Sequence, residues 1–331
     1  MSDVARAAGV SPMTVSYTYN RPERVSADSR AKVLQAATTL GYPGPDPSAR
    51  SLRYGATRTL GVVLGEHLTY AFDDQQAVAF LAGVAEVCAE RGYGLLIVPT
   101  GTGDGDPERV LRAAVDAYVV WTTTADDPVL EAACSTRLPV VVHGGPERDG
   151  TMLVGIDNRV AARAVGGEVF ATARRPAVLS FPLDRRRETF VRVGVDPDDV
   201  AYPVTRDRLA GYRDAVREGG LDWSAVPVGV CRTNDVGDAR AVMRQVLAVA
   251  PEVDAVAAMS DLLALGAVGE ASPSLRISGW DDSEVASEHQ LTTVAQSMRA
   301  QGSACAAAAL VDRLVAHHDD WRLVRRASTG G

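Results

Sequence analysis

The side chains with the clearest chemical use near the start of the chain lie in residues 10–20, Val-Ser-Pro-Met-Thr-Val-Ser-Tyr-Thr-Tyr-Asn. Ser11 is a good helix N-cap, and Pro12 fits the first helical position because a missing N–H costs nothing there. Small polar groups at a helix start suit hydrogen bonds to base edges and to phosphate oxygens. We therefore predict DNA contacts from the following residues: Ser11, Pro12, Met13, Thr14, Ser16, Tyr17, Asn20 and, at the next helix cap, Ser26.

Two neighbouring helices must position this segment. Ser2 can cap a short first helix through Arg6, and Gly9 supplies the left-handed turn that ends it. A third helix is predicted from Ala27 to Leu40, where apolar residues recur at helical spacing. Three short helices with a glycine at the first turn are typical of a helix-turn-helix, whose second helix enters the major groove. The alternative is a small helical bundle that binds another protein.

The charge distribution favours DNA over a protein partner. The chain of 331 residues has a formal net charge of −8. Residues 1–58 carry eight basic and four acidic groups, a net of +4, so the remaining residues carry a net of −12. A basic head on an acidic body is expected of a DNA-binding domain attached to a domain that does not itself contact DNA.

A linker follows the head. The prolines of residues 42–47 break helical structure and mark a boundary between a helix-turn-helix domain, 1–45, and a hinge, 46–58. Residues 48–54 predict a two-turn helix that is too short to be stable alone in water. In this helix Arg50 suits a phosphate, and Leu52 suits insertion between base pairs in the minor groove. The alternative is a flexible tether in which Leu52 packs on the body.

From residue 59 onward, short apolar runs alternate with amphipathic stretches, which is the pattern of βα units in parallel sheets. The predicted strands are 60–64, 94–98, 117–121, 140–142, 153–156, 177–181, 226–230, 255–259 and 275–279. They indicate an α/β core of two doubly wound lobes, 59–155 and 156–285, with the segment 286–331 crossing between them. Ligands of such sheets bind at the carboxyl ends of the strands, here in the cleft between the lobes.

The chain resembles the lac repressor and galactose repressor family over its full length. The resemblance rests on Asp3–Ser16, Asn20, Val25-Ser26 and Ala49–Leu52 in the head, and on Gly155–Asn158, Arg208–Tyr212, Ser260–Gly266, Ser278–Asp282, Leu291–Val294 and Leu323–Arg326 in the body. The family implies a homodimer on a pseudo-palindromic operator, with hinge helices that insert a leucine into the minor groove. Leu52 matches that leucine. The resemblance also implies a core with the fold of periplasmic sugar-binding proteins.

The resemblance marks Arg208 and Asp281 as the best effector contacts. A guanidinium fork and a carboxylate can hold vicinal hydroxyls through charge-assisted hydrogen bonds. The full set of predicted effector residues is Arg208, Asp281, Trp280, Gly65, Glu66, Tyr70, Phe72, Asp157 and Asp261. Each prediction has an alternative. Arg208 and Asp281 could form a purely structural ion pair, and Trp280 could be packed in the core. The residues after the first strand, 65–72, could form an ordinary surface loop. Asp157 and Asp261 could cap helices.

Other functional classes are disfavoured. The sequence has no GxGxxG, Walker A, GxSxG or HExxH motif, and its four cysteines and five histidines lack metal-ligand spacing. We therefore expect no enzymatic activity, no cofactor and no metal. No apolar run is long enough to span a membrane, and no signal peptide is evident, so we expect a cytoplasmic protein.

The sequence therefore predicts a DNA-binding transcriptional repressor whose operator affinity is controlled by a sugar or sugar derivative. The alternative is a solute-binding or sensor protein of the same core fold with a non-carbohydrate ligand such as a nucleoside. Two departures from the family matter. Tyr17 occupies a position that often holds arginine, so base preference cannot be copied from relatives. Residues 173–176, Ala-Arg-Arg-Pro, replace a usual Gly-His pair.

Overall fold

The computed structural model describes residues 1–44, 55–65, 70–100, 106–270, 272, 274–311 and 320–330. The chain forms two compact units, Met1–Thr57 and Arg58–Gly331. The predicted hinge helix, with Arg50 and Leu52, lies outside the described residues. Both of those DNA contacts therefore remain predictions.

The described residues of the first unit form three α-helices and one short 3-10 turn. The helices are α1 (Ser2–Ala8), α2 (Pro12–Asn20) and α3 (Ala27–Thr39), and the turn is Pro22–Arg24. Val4, Val15 and Val33 form the centre of a small apolar core that all three helices share. The helical spacing of apolar residues therefore reflects a real common core.

The ends of these helices follow from their side chains. Gly9 ends α1 in the left-handed conformation, at φ 65°. Ser11 accepts a hydrogen bond from the Thr14 backbone N–H at 3.0 Å, which caps α2. The prediction that Ser2 caps α1 is wrong, because Ser2 is the first helical residue and the cap position falls on Met1, which has no side-chain oxygen.

The first half of the second unit, called lobe 1, is built on a five-stranded parallel sheet in the order β2-β1-β3-β4-β5. Its strands are β1 (Thr59–Leu64), β2 (Gly94–Pro99), β3 (Ala117–Trp121), β4 (Val140–His143) and β5 (Met152–Val154). Its helices are α4 (Tyr70–Asp73), α5 (Gln75–Arg91), α6 (Asp106–Arg112) and α7 (Pro128–Ser135). Apolar cores lie on both faces of the sheet, which explains why its strands read as continuous apolar runs.

The other half, lobe 2, has a five-stranded sheet in the order β10-β9-β6-β8-β7. Its strands are β6 (Pro176–Ser180), β7 (Phe190–Val193), β8 (Pro227–Val230), β9 (Ala255–Ala258) and β10 (Arg276–Ser278). Its helices are α8 (Asn158–Phe170), α9 (Pro203–Glu218), α10 (Val236–Val249), α11 (Asp261–Val268) and α12 (Glu284–Glu288), with 3-10 turns at Pro197–Asp199, Trp223–Ala225 and Ala327–Thr329. The edge strand β7 runs antiparallel to β8, which corrects the expectation of an entirely parallel sheet.

The C-terminal segment passes from lobe 2 to lobe 1 and back. Strand β11 (Thr293–Gln296) pairs antiparallel with β12 (Trp321–Val324), and both pack with the core of lobe 2. Directly after β11 the chain enters helix α13 (Met298–Val311), whose apolar residues join a core of lobe 1. Gln296 and Met298 therefore stand on either side of a crossing between the lobes.

Helix α13 approaches α5 closely because glycines face each other across the contact. A Cβ built on Gly83 of α5 would lie 1.9 Å from the backbone oxygen of Arg299. A Cβ built on Gly302 of α13 would lie 2.1 Å from the backbone oxygen of Phe80. Only glycine permits this backbone contact, which fixes the C-terminal helix on lobe 1.

Candidate ligand cavity and nucleic-acid interface

A cavity of about 180 Å³ opens where the carboxyl ends of the two sheets face each other. From lobe 1 it is lined by residues that follow β1, β3 and β4, and from lobe 2 by residues that follow β6 and β8. Its volume exceeds by an order of magnitude the roughly 10–15 Å³ that one water molecule needs on the same measure. The cavity therefore has the place and the size expected of a site for a small organic ligand.

Arg208, on α9, is the central cation of this cavity. Its guanidinium donates from Nε to Asn158 Oδ1 at 2.9 Å and from Nη1 to the Met259 backbone oxygen at 2.6 Å. The face of the guanidinium lies 3.7 Å from the centre of the Trp280 ring, a cation–π contact. Burial lowers the pKa of Arg208 to about 10, so the group stays charged at neutral pH. Nη2 has no hydrogen-bond partner among the described residues, which leaves a donor for a ligand.

Asp281, which follows β10, supplies a carboxylate to the same cavity. Its Oδ1 accepts a hydrogen bond from Gln296 Nε2 at 2.9 Å. Burial raises the pKa of Asp281 to about 8, although the Arg208 charge pulls it down. No described carboxylate comes within 4 Å of the Arg208 guanidinium, so the two groups do not form a direct ion pair. Each keeps capacity for a third partner.

A direct hydrogen bond joins the two lobes at one side of the cavity. Asp74 caps α5 by accepting from the Gln76 and Ala77 N–H groups through Oδ1. Its Oδ2 accepts from Asn234 Nδ2 of lobe 2 at 3.1 Å. Asn234 in turn accepts from the Ser260 hydroxyl at 2.6 Å, and Ser260 caps α11. The N-terminal caps of one helix from each lobe are thus connected through a single amide.

Of the predicted effector residues, Gly65, Arg208 and Asp281 line the cavity. Glu66 lies outside the described residues, as does the side chain of Tyr70. Phe72 is 64% exposed and does not line the cavity, as expected of an ordinary surface residue.

Three further predicted effector positions have structural roles instead, and for Trp280 and Asp157 these are the alternatives named above, a core position and a helix cap. Trp280 is fully buried behind Arg208, so its ring supports the guanidinium and cannot stack on a ligand. Asp157 is exposed and caps α8 through the Val160 N–H. Asp261 is buried away from the cavity, where it accepts bonds from Ser283 and Thr293. The expectation that Asp261 caps α11 is also wrong, since Ser260 does so.

Most residues of the cavity lining were not predicted from the sequence. The missed residues are Asp74, Gln76, Trp121, Thr122, His143, Asn158, Phe181, Arg187, Tyr202, Thr205, Arg232, Thr233, Asn234, Gln296 and Gln301. Those that follow β3, β4 and β8 could have been found by applying the strand-end rule to every strand. Gln296 and Gln301 carry no comparable signal, because their position depends on the lobe crossing.

The predicted DNA-contacting residues of the head lie along α2 and at the N-terminal caps of α2 and α3. Ser11, Pro12 and Met13 are exposed, while Thr14, Tyr17 and Asn20 are partly exposed. Ser26 is exposed and caps α3. Ser16 is a correction: its side chain is buried and its backbone oxygen accepts from Asn20 Nδ2 at 3.0 Å, so it does not present a hydroxyl to DNA.

Within the described ranges, no group of three or more His, Cys, Asp or Glu residues is arranged to hold a metal ion. No described helix combines the length and the apolar character that a membrane crossing requires.

Comparison with known proteins matches both units. A family model described as "Bacterial regulatory proteins, lacI family" matches residues 1–44, and one described as "Periplasmic binding proteins and sugar binding domain of LacI family" matches residues 198–311. The chain is 35% identical over 314 residues to the HTH-type transcriptional regulator IpsA of Corynebacterium glutamicum, across 91% of this chain and 88% of that protein. It is 28% identical to the ribose operon repressor of Escherichia coli, across 89% of this chain and 87% of that protein.

A solved structure agrees with these matches. The complex of the transcriptional regulator CelR with cellobiose superimposes with a TM-score of 0.68 at 26% identity, across 99% of this chain and 98% of that one. The predicted family and fold class are confirmed. The chain belongs to the lacI family of bacterial regulatory proteins and combines a helix-turn-helix domain with a periplasmic-binding-protein-like core.

Proposed function

We propose that this lacI-family regulator is a repressor that binds operator DNA as a homodimer and is controlled by a sugar or sugar derivative in the cavity. A relative is named for repression of the ribose operon, and a structural neighbour holds cellobiose. Since its proposed partner is operator DNA, we expect the protein to act in the cytoplasm. A nucleoside is the alternative effector class.

The observation that carries the proposal is that Arg208 and Asp281 line the same cavity. Arg208 Nη2 offers a charged donor and Asp281 offers an acceptor, and vicinal hydroxyls can satisfy both. Trp121 and Phe181 line the same space, and aromatic rings suit the apolar face of a sugar. A small neutral polyol therefore fits the chemistry better than a purely apolar ligand.

The head supplies the DNA contacts. We propose that Pro12, Met13, Tyr17 and Asn20 approach base edges, and that the hydroxyls of Ser11, Thr14 and Ser26 approach phosphates. Arg50 and Leu52 of the hinge complete the set, with Leu52 in the minor groove. Ser16 leaves the set because its side chain is buried.

Two measurements test this function. A thermal-shift screen of the full chain with ribose, glucose, cellobiose and a nucleoside should find a ligand that raises the melting temperature, since a ligand stabilises the state that binds it. Fluorescence anisotropy with DNA from upstream of the regulated gene should then show weaker binding in the presence of that ligand. Tight DNA binding that no panel member alters would contradict control by a sugar.

A further inference from the structure

A continuous chain of side-chain hydrogen bonds runs across the lobe crossing, and we call it the amide relay. His143 Nε2, at the end of β4, lies 2.8 Å from Gln301 Oε1. Gln301 Nε2 donates to Gln296 Oε1 at 3.1 Å, and Gln296 Nε2 donates to Asp281 Oδ1 at 2.9 Å. The relay begins in lobe 1 and ends on the carboxylate of lobe 2, with Gln296 and Gln301 flanking the crossing between β11 and α13.

The relay has a direction. Gln296 turns its amide N–H₂ toward Asp281 Oδ1 and its carbonyl toward Gln301, and Oδ1 can accept this hydrogen bond whether or not the carboxyl carries a proton on Oδ2. The same logic turns the Gln301 carbonyl toward His143, whose Nε2 must then carry the proton. Burial lowers the pKa of His143 to about 4, so the ring is neutral near pH 7 and holds one proton. The relay places that proton on Nε2 and leaves the lone pair on Nδ1.

The lobe 1 end of the relay is held firmly. The His143 ring centre lies 4.8 Å from that of Phe80 and 5.2 Å from that of Trp121. Gln301 is only 3% exposed on the first turn of α13. A buried amide between buried partners cannot turn without losing its hydrogen bonds, so His143 holds Gln301, and Gln301 holds Gln296, in the orientation that presents an N–H group to Asp281.

The lobe 2 end is the group that the proposed function uses. Asp281 faces Arg208 from α9, Asp261 from α11 and Asp74 from the start of α5, in addition to Gln296 from β11. Its backbone φ is 106°, which an aspartate rarely adopts, so neighbouring contacts must hold it. The relay supplies its side-chain hydrogen-bond donor among the described residues.

We propose that His143 is a positioning residue that acts across the lobes: through Gln301 and Gln296 it orients the Asp281 carboxylate in the cavity. This inference rests on the proposed function, because it takes Asp281 as an effector contact. A rearrangement of the lobes that parts His143 from Gln301, or Gln296 from Asp281, breaks the relay and frees the carboxylate. Effector affinity and lobe arrangement are thereby linked by four named side chains.

The first test needs no ligand. The full chain carrying ¹³C-labelled aspartate is titrated by NMR, and Asp281→Asn identifies the Asp281 carboxyl signal. Gln296→Met should move the titration midpoint of Asp281 upward, because its charged form loses a hydrogen-bond donor. His143→Phe keeps an aromatic ring but removes the proton on Nε2, and it should move the midpoint upward by a smaller amount. Gln301→Met removes the next residue of the relay and should also move the midpoint of Asp281 upward, so it tests the same connection if His143→Phe does not fold.

The matched control is His289→Phe, the same change at an exposed histidine after α12. It should leave the midpoint of Asp281 unchanged. Identical midpoints for wild type, His143→Phe and Gln301→Met, with a shift in Gln296→Met alone, would overturn the inference, since Asp281 would then depend on Gln296 only.

The second test uses D-ribose and cellobiose as probes in titration calorimetry. A sugar that binds the wild type should bind His143→Phe about fivefold to fiftyfold more weakly and His289→Phe equally well. Equal affinity for wild type and His143→Phe would overturn the positioning role while leaving the proposed function intact. If neither sugar binds the wild type, the proposed choice of effector fails, and the NMR titration still decides whether the relay exists.

Discussion

Arg208 and Asp281 are the two ionisable groups that we propose for ligand recognition, and burial shifts the pKa of each toward the neutral form. The pKa of Arg208 falls to about 10 and that of Asp281 rises to about 8, in each case because the charged form loses water. Each still makes hydrogen bonds that leave one side open to the cavity. Such perturbed groups in a cleft are typical of functional sites.

The sequence predicted Arg208 and Asp281 but could not predict the side chains that hold them in place, namely Asn158 and Trp280 for Arg208 and Gln296 for Asp281. Arg208 and Asp281 were found from the resemblance, as residues in matching motifs. For Trp280 the sequence predicts either stacking on a sugar face or a core position; the chain turns at Asp281 with φ 106°, and the indole lies in the core behind Arg208. That turn is a backbone property of one residue, and residue type does not reveal it.

Asp281 makes stability depend on pH in a definite direction. The ordinary pKa of its carboxyl is 3.8, and the pKa in the folded protein is about 8. At a pH between these two values, the folded state holds a proton that the unfolded state lacks. Wild-type stability therefore falls as pH rises through this window. Asp281→Asn cannot titrate and should gain melting temperature relative to wild type from pH 4.5 to about 8. A difference that stays constant across this range would contradict the buried carboxyl.

His143 gives the opposite dependence. Its pKa is lowered from 6.5 to about 4, so between these values the unfolded state binds a proton that the folded state does not. This contribution to stability is lost as pH falls from 6.5 toward 4. His143→Phe should lose less melting temperature over that range than wild type, and His289→Phe should behave as wild type. Equal acid sensitivity of all three proteins would refute the burial of a neutral imidazole.

At the scale of elements, the apolar runs predicted the strands that lie inside the sheets. β1, β3 and β9 lie within a residue of their expected bounds, because a strand covered on both faces must be apolar throughout. β7 was missed since it is an antiparallel edge strand whose side chains are partly exposed, Phe190-Val-Arg-Val193, in a polar segment. Edge strands need no continuous apolar run, so composition does not distinguish them from loops.

The glycines between α5 and α13 offer an element-scale prediction. Gly83→Ala would place its Cβ 1.9 Å from the Arg299 backbone oxygen, so the helices must separate. We expect a loss of about 1–3 kcal/mol in the free energy of unfolding, as for an overpacked core. Gly167→Ala on α8 is the control, because its Cβ meets nothing within 4 Å and alanine favours helix by about 1 kcal/mol. Denaturant unfolding should order the proteins as Gly83→Ala, wild type, Gly167→Ala, from least to most stable.

At the scale of the whole core, the Asn234 amide joins the two lobes by a hydrogen bond that is separate from the relay. Asn234→Ala removes the donor to Asp74 and the acceptor of Ser260. Unpaired buried groups cost about 1–3 kcal/mol each, so the arrangement in which the lobes meet should become less populated. X-ray scattering of the ligand-free variant should give a larger radius of gyration than the wild type. An unchanged radius would mean that this bond does not hold the lobes together.

Control of repression by an effector requires that a ligand between the lobes changes DNA binding by the head. The most direct measurement is operator affinity by fluorescence anisotropy, with and without the sugar found in the thermal-shift screen, for wild type and Arg208→Met. The wild type should change by about fivefold to 150-fold, the usual range of allosteric coupling. Arg208→Met should bind the operator as the wild type does without sugar and should not respond to it. A full response to the sugar in Arg208→Met, or no response in the wild type, would contradict control of operator binding by a ligand in this cavity.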